Sequence, residues 1–297
     1  MALQQLVNAI VFGSVLTLFA LGLSLAWGTL DVLNLAHGSL FVFAGFLAYE
    51  FSSHVHMAFV FLVLSCMVAT GLVAAFMELV AFRHVRLRFP TKRQAEMSML
   101  VASVGFSTML DTIVANQTSD SSFGPAASAY SVSYTKIGSV VITNIEVVIV
   151  VVTLFVAIAL DQWVRRSRTG RAVRSIAFDP ATSGLLGIDV TRLSAMTMFV
   201  AGALAGLAGV LLAVYVGAED TTTGQAYMLT AFAILIVGGV GSVRGAIAAA
   251  FFVSVAETAV VAYGPSNWSN GVSFLLILIV LLVRPAGLFA RTRFQRT

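Results

Sequence analysis

Runs of apolar residues, separated by short polar stretches, occupy almost the whole chain. A helix needs about 20 consecutive apolar residues to cross the hydrocarbon of a bilayer. The pattern predicts such spans at 5–27, 31–51, 57–81, 96–116, 138–160, 194–217, 226–241, 244–263 and 270–283, of which the seventh and ninth are short. The expected fold is all-α: a polytopic transmembrane helical bundle of about nine spans (eight to ten), with residues 1–297 forming a single transmembrane domain. The polar intervals 117–137, 218–225 and 264–269 are rich in Ser, Thr, Gly and Asn and read as solvated loops.

Composition agrees. Hydrophobic residues make up 59% and charged residues 10% of the chain, with mean hydropathy +0.97. A soluble domain has roughly a quarter charged residues, so that class is excluded. The first thirty residues carry no Lys or Arg and read as a first span rather than a cleaved leader. Cys66, the sole cysteine, excludes an internal disulfide.

The pI near 9.6 does not point to nucleic acid, because the basic residues flank the spans. Arg83, Arg86, Arg88, Lys92 and Arg93 form one group; Arg165, Arg166, Arg168, Arg171, Arg174 and Arg192 a second; Arg284, Arg291, Arg293 and Arg296 a third; Arg244 stands alone in a tight turn, and only Lys136 falls on the opposite side. The positive-inside rule then makes the basic intervals cytoplasmic, with the N-terminus outside and the C-terminus inside a plasma (inner) membrane.

Glycine interrupts the apolar runs at two comparable places. Residues 5–81 give three spans around Gly28 and Asn34-Leu35-Ala36-His37-Gly38; residues 226–283 give three spans around Gly238, Gly239, Gly241, Ser242 and Gly245. This is compatible with a parallel internal repeat whose broken helices line a transport pathway. Close helix packing would call for the same glycines.

The interval 161–193 is too polar for a span and too patterned for a linker. Residues 171–178 predict a short helix with Val173, Ile176 and Ala177 on one side and Arg171 at its start. Asp179 and Pro180 then suit the N-cap and first position of a second helix. Leu185 and Leu186 end it, and Gly187 fits the left-handed C′ position. Two short helices with apolar stripes among arginines read as a docking element.

Asn34 and His37, at i and i+3, are expected on one helical face turned to the bundle interior, because unpaired polar groups in hydrocarbon cost several kcal/mol. They fit either a pathway or gate, or hydrogen bonds between helices, and Gly38 would let a neighbouring backbone approach. Glu257 is the other deep ionisable group, a candidate for countering a cation or Arg244, or for bonding helices together. Glu146 and Asp111 are weaker candidates. No zinc-ligand spacing, paired catalytic carboxylates or nucleophile–base set is visible, so neither an enzyme nor a metal site is expected.

LNLAHG at 33–38, GRAVRSIAFDPATSGLLGIDV at 170–190, GGVGSVRGA at 238–246 and VRPAGLF at 283–289 together resemble the permease subunits of ATP-binding-cassette importers for branched-chain amino acids, specifically the shorter of that system's two permeases. The resemblance covers most of the chain. It departs at Phe178-Asp179-Pro180-Ala181-Thr182-Ser183, where the family more often has Gln before the Asp and Glu-Ala after the Pro. It implies a second, homologous permease subunit, two cytoplasmic ATP-binding subunits and a soluble substrate-binding protein outside. No G-x-x-x-x-G-K-[ST] stretch is present, so no cofactor is expected on this chain and ATP would act through partners docked at 161–193. Importers of urea and short amides share the resemblance. An ion-coupled secondary transporter is the remaining alternative, but it would need a relay of intramembrane carboxylates that this chain does not offer.

Overall fold

The computed structural model describes residues 2–283 apart from Val32, His56, Pro90, 127–128 and 265–268. Arg284, Arg291, Arg293, Arg296, the 283–289 motif after Val283 and most of the interval 264–269 lie outside the described residues.

The helices are α1 (Ala2–Leu30), α2 (Ala36–His54), α3 (Phe59–Met77, running through a π-helical turn at Glu78–Phe82 into α4, Arg83–Arg88), α5 (Lys92–Thr118), α6 (Asn144–Arg166), α7 (Arg168–Phe178), α8 (Pro180–Leu185), α9 (Val190–Val216), α10 (Thr223–Gly238), α11 (Val243–Tyr263) and α12 (Ser269–Val283). Each predicted span coincides with one of α1, α2, α3, α5, α6, α9, α10, α11 and α12. Six helices, at Ala2–Leu30, Phe59–Arg88, Arg93–Thr118, Asn144–Arg166, Val190–Val216 and Val243–Tyr263, are long and apolar enough to cross a membrane by length and composition. Thr223–Gly238 and Gly271–Leu282 are shorter apolar helices. In α2, 19 residues long, His37, Glu50 and His54 dilute the apolar run.

The fifth span departs from expectation. It starts at Asn144, not 138, because Tyr134–Ile137 (β1) and Val140–Thr143 (β2) pair antiparallel, Tyr134 opposite Thr143. Gly138, with φ +62°, turns this hairpin, and a capping box between Thr143 and Glu146 opens α6.

α1 and α9 are hydrophobic all round and form the centre: 89% and 72% of their most apolar stretches are buried, against 22% for α5 and α6. α2 packs parallel to α9, Gly209 lying against Phe41 and Gly45 against Ala213. It packs antiparallel to α1, with Gly22 against His37 and Phe19 against Phe41. α1 and α9 therefore run in opposite directions. Gly13 of α1 abuts Ser254 of α11, and Gly206 of α9 abuts Thr70 of α3.

The breaks that follow α1 and α9 relate α1–α2 to α9–α10 with inverted direction, a correspondence additional to the parallel one of residues 5–81 with 226–283. The breaks match position by position. Asp31 (φ 55°) and Gly217 (φ 82°) end α1 and α9 in the left-handed region. Three residues on, Asn34 Oδ1 accepts from Ala36 N (3.1 Å), and Asp220 Oδ1 accepts from Thr222 N and Thr223 N (2.9 Å each). Four residues further, Gly38 and Gly224 meet face to face: a Cβ on either would lie 2.6 or 2.3 Å from the other's carbonyl oxygen.

Candidate functional site

The first break, residues 31–35, places the Asn-His-Gly segment at the bundle centre. Asn34 and His37 do not share a helical face as expected: α2 begins at Ala36, and Asn34 precedes it, its side-chain oxygen accepting from the Ala36 N–H. His37 is fully buried; its Nε2 lies 3.1 Å from the Phe19 carbonyl oxygen and its ring stacks on Phe19 at 4.8 Å. The imidazole thus ties α2 to α1. Asn34 Nδ2 is buried without an acceptor among the described residues.

The second glycine group shapes the turn between α10 and α11. Gly238 and Gly245 press together in the turn between α10 and α11, Gly239 and Gly241 take positive φ, and the Ser242 hydroxyl caps α11 by accepting from Gly245 N (3.1 Å). Gly241 Cα also packs on Gly28, fastening this turn to the end of α1. Glu257 fastens three helices: its Oε1 accepts from the hydroxyls of Thr230 (3.0 Å) and Ser273, joining α10, α11 and α12.

Arg244 is not paired with Glu257. Its Nη2 lies 3.2 Å from Asp161 Oδ2, while Asp161 Oδ1 takes Arg165 Nε at 3.1 Å. Three acidic groups escaped the sequence reading in these roles. Asp161 bridges two helices. Glu78 is buried on the π-helical turn and paired with Arg86. Glu219 is 3% exposed at the second break, with neither carboxylate oxygen hydrogen-bonded among the described residues. An interval read as a solvated loop hid Glu219; only its adjoining glycines hinted at a helix break. Asp111 accepts from Ser107 at 3.4 Å, and Glu146 is taken up in the cap of α6.

Within the interval 161–193, α8 forms with the expected caps, while α6 runs on to Arg166, α7 begins at Arg168 rather than 171, and α9 already starts at Val190. The Ser167 hydroxyl accepts from Gly170 N at 2.8 Å and opens α7, whose Val173 and Ile176 are buried. Asp179 Oδ1 accepts from Ala181 N (2.9 Å) and Thr182 N (3.2 Å), Pro180 occupies the first turn of α8, and Gly187 has φ +83°. The Thr182 hydroxyl and these amides hold the Asp179 carboxyl below the ordinary carboxylate range. The Ser175 and Ser183 hydroxyls meet at 2.8 Å and lock α7 to α8. At the tip of this unit Phe178, Leu185 and Leu186 are 86%, 90% and 74% exposed. Arg171 stands exposed on α7, its guanidinium donating to the Arg166 carbonyl at 3.2 Å.

The family model described as "Branched-chain amino acid transport system / permease component" matches residues 5–281. The chain is 30% identical to the high-affinity branched-chain amino acid transport system permease protein LivH of Escherichia coli, covering 99% of this chain and 97% of that protein. It is 29% identical, with the same coverage, to the corresponding permease protein BraD of Pseudomonas aeruginosa. Its fold is similar to a chain of PsaBC from Streptococcus pneumoniae in complex with Fab, with TM-score 0.50 and 14% identity, covering 95% of this chain and 91% of that one. The family match over residues 5–281 and the identity along almost the whole chain lead to one conclusion: this chain belongs to the branched-chain amino acid transport permease family.

Proposed function

We propose that this chain is a transmembrane permease subunit of an ATP-binding-cassette importer that moves branched-chain or related hydrophobic amino acids inward across the inner membrane. ATP is hydrolysed by two partner subunits, a second homologous permease completes the pathway, and a soluble binding protein delivers substrate from outside. The α7–α8 unit faces the cytoplasm and receives the ATPase.

The observation that carries this reading is the apolar tip of α7–α8. Three large hydrophobic side chains stand in water beside exposed arginines, on a scaffold held by two side-chain caps and a left-handed glycine. Exposed leucines at the end of a rigid, capped unit fit a partner's apolar groove. On this reading Arg171 and the capped residues Asp179, Pro180 and Gly187 transmit the partner's movement to α6 and α9. Asn34, His37 and Gly38 fix the first break, with Gly238, Gly239, Gly241, Ser242 and Glu257 holding α10 and α11 against it, so the pathway moves as a unit.

The test is reconstitution with the second permease and both ATPases in proteoliposomes. Leucine-, isoleucine- or valine-loaded binding protein should stimulate ATP hydrolysis, and urea should not. Leu185→Asp with Leu186→Asp should abolish stimulation while the permease pair still inserts. Full stimulation in that variant would refute docking at α7–α8; stimulation by urea alone would refute the substrate class.

A further inference from the structure

A groove of about 440 Å³ opens between the end of α6 and the start of α11, lined by Leu154, Ile158, Asp161, Arg165, Arg166 and Arg244 among others. It belongs neither to the breaks nor to the α7–α8 tip. Three guanidiniums face one carboxylate, and that carboxylate already spans two of them. Arg165 engages Asp161 through Nε and Arg244 through one Nη, so each keeps donors for another anion. Arg166 is exposed and has no ion-pair partner among the described residues.

The lower wall of the groove is apolar and open. Leu154 and Ile158 are 61% and 49% exposed, and Val147, Val151 and Phe155 continue the exposed stripe along α6. From Leu154 to Arg166 the helix rises about 18 Å, so the groove passes from hydrocarbon-compatible surface to a cluster of positive charge. A free anion would use only the charged end. A phosphodiester with acyl chains would use both.

We infer that this groove is a binding site for an anionic phospholipid: the phosphodiester is clamped by Arg165, Arg166 and Arg244, and the acyl chains lie along the Leu154–Ile158 face of α6. Asp161 holds the two helices at the spacing that makes the clamp and leaves an excess of positive charge for the headgroup. The site goes beyond the proposed transport function and requires only that the chain lie in a bilayer.

The experiment is native mass spectrometry of the full chain, alone and in the assembled complex, released from micelles carrying phosphatidylglycerol, phosphatidylcholine, or inorganic phosphate without added lipid. Wild-type protein should retain phosphatidylglycerol in preference to phosphatidylcholine. Arg166→Gln, which breaks no ion pair, should weaken retention about fivefold, and adding Arg244→Gln should weaken it by a similar factor again. Phosphatidylcholine retention should not change, and the melting temperature of Arg166→Gln should match wild type. Undiminished phosphatidylglycerol retention in the double variant would overturn the assignment. So would complete displacement of the lipid by inorganic phosphate, which would mark a simple anion site. Cross-linking of Ile158→Cys to the second permease in the complex, with loss of the lipid, would assign the groove to a protein interface instead.

Discussion

The Gly38–Gly224 crossing provides the sharpest test of the inverted repeat. Alanine at Gly38 would place Cβ 2.6 Å from the Gly224 oxygen, and alanine at Gly224 would place it 2.3 Å from the Gly38 oxygen. Ordinary contact begins at 3.4 Å, so the helices must part by about an ångström, and the obstructing atoms are backbone that no rotamer change can move. Overpacking of this kind costs about 1–3 kcal/mol, with rigid backbone at the upper end. Replacing helical glycine returns at most ~1 kcal/mol, and less here because both residues lie in the first turn of their helices. The expected net loss is about 2 kcal/mol for each single variant. Either alanine forces the same separation, so the double variant should lose clearly less than the sum. Gly105, where a Cβ meets nothing within 4 Å, is the control: Gly105→Ala should stabilise by ~0.5–1 kcal/mol. The assay is reversible unfolding of purified permease in mixed micelles, with leucine uptake in parallel. Wild-type stability in both single variants, or strictly additive losses, would refute the crossing.

Four further outcomes are expected. His37→Leu should lose the bond to the Phe19 carbonyl and about 1 kcal/mol, lowering uptake while the complex assembles; normal uptake would show the imidazole to be dispensable. Gly187→Val, which forces a β-branched residue to φ +83°, should uncouple ATP hydrolysis from loaded binding protein without impairing insertion. In a Cys66→Ala background, Ser122→Cys should react with an impermeant maleimide added to intact cells and Ala181→Cys only in inverted vesicles; the opposite result would reverse the topology. The hydroxyl and amide donors of Thr222 and Thr223 hold the Asp220 carboxyl below its ordinary range, so its contribution exists above the unfolded value and fades as pH falls through the folded one. Asp220→Asn should keep the cap and flatten that acid-side slope in the same unfolding assay.

The spans were legible because bilayer thickness imposes a length on apolar runs, and that length survives in the sequence whatever the helices pack against. The caps of α8 were legible for a related reason: Asp179, Pro180 and Gly187 act on backbone within a few residues, so local sequence contains both partners. What depended on distant partners was not. Val140-Val141-Ile142-Thr143 extended an apolar run convincingly, and only pairing with β1 shows that it is a strand. Asn34 was read as a helical neighbour of His37 because spacing does not reveal where a helix starts. Arg244 could be matched to Glu257 only by shared apolar surroundings, whereas its actual partner, Asp161, lies 83 residues away on another helix.

The two breaks are alike in geometry and unlike in charge, and the difference has a physical consequence. Each begins a helix, and a helix N-terminus carries roughly half a positive charge. Bringing the first turns of α2 and α10 into contact at Gly38 and Gly224 sets two such ends against each other. At α2 the acceptor is the neutral amide of Asn34. At α10 it is the carboxylate of Asp220, with Glu219 buried one residue before it. An ionised carboxylate beside a helix N-terminus contributes about 0.3–1 kcal/mol at an exposed position, so the charge that steadies the crossing comes from Asp220 on the α10 side. Inversion of the repeat thus gives two halves that match in backbone while only one answers to charge. That half is joined directly to α9, whose far end carries the α7–α8 unit.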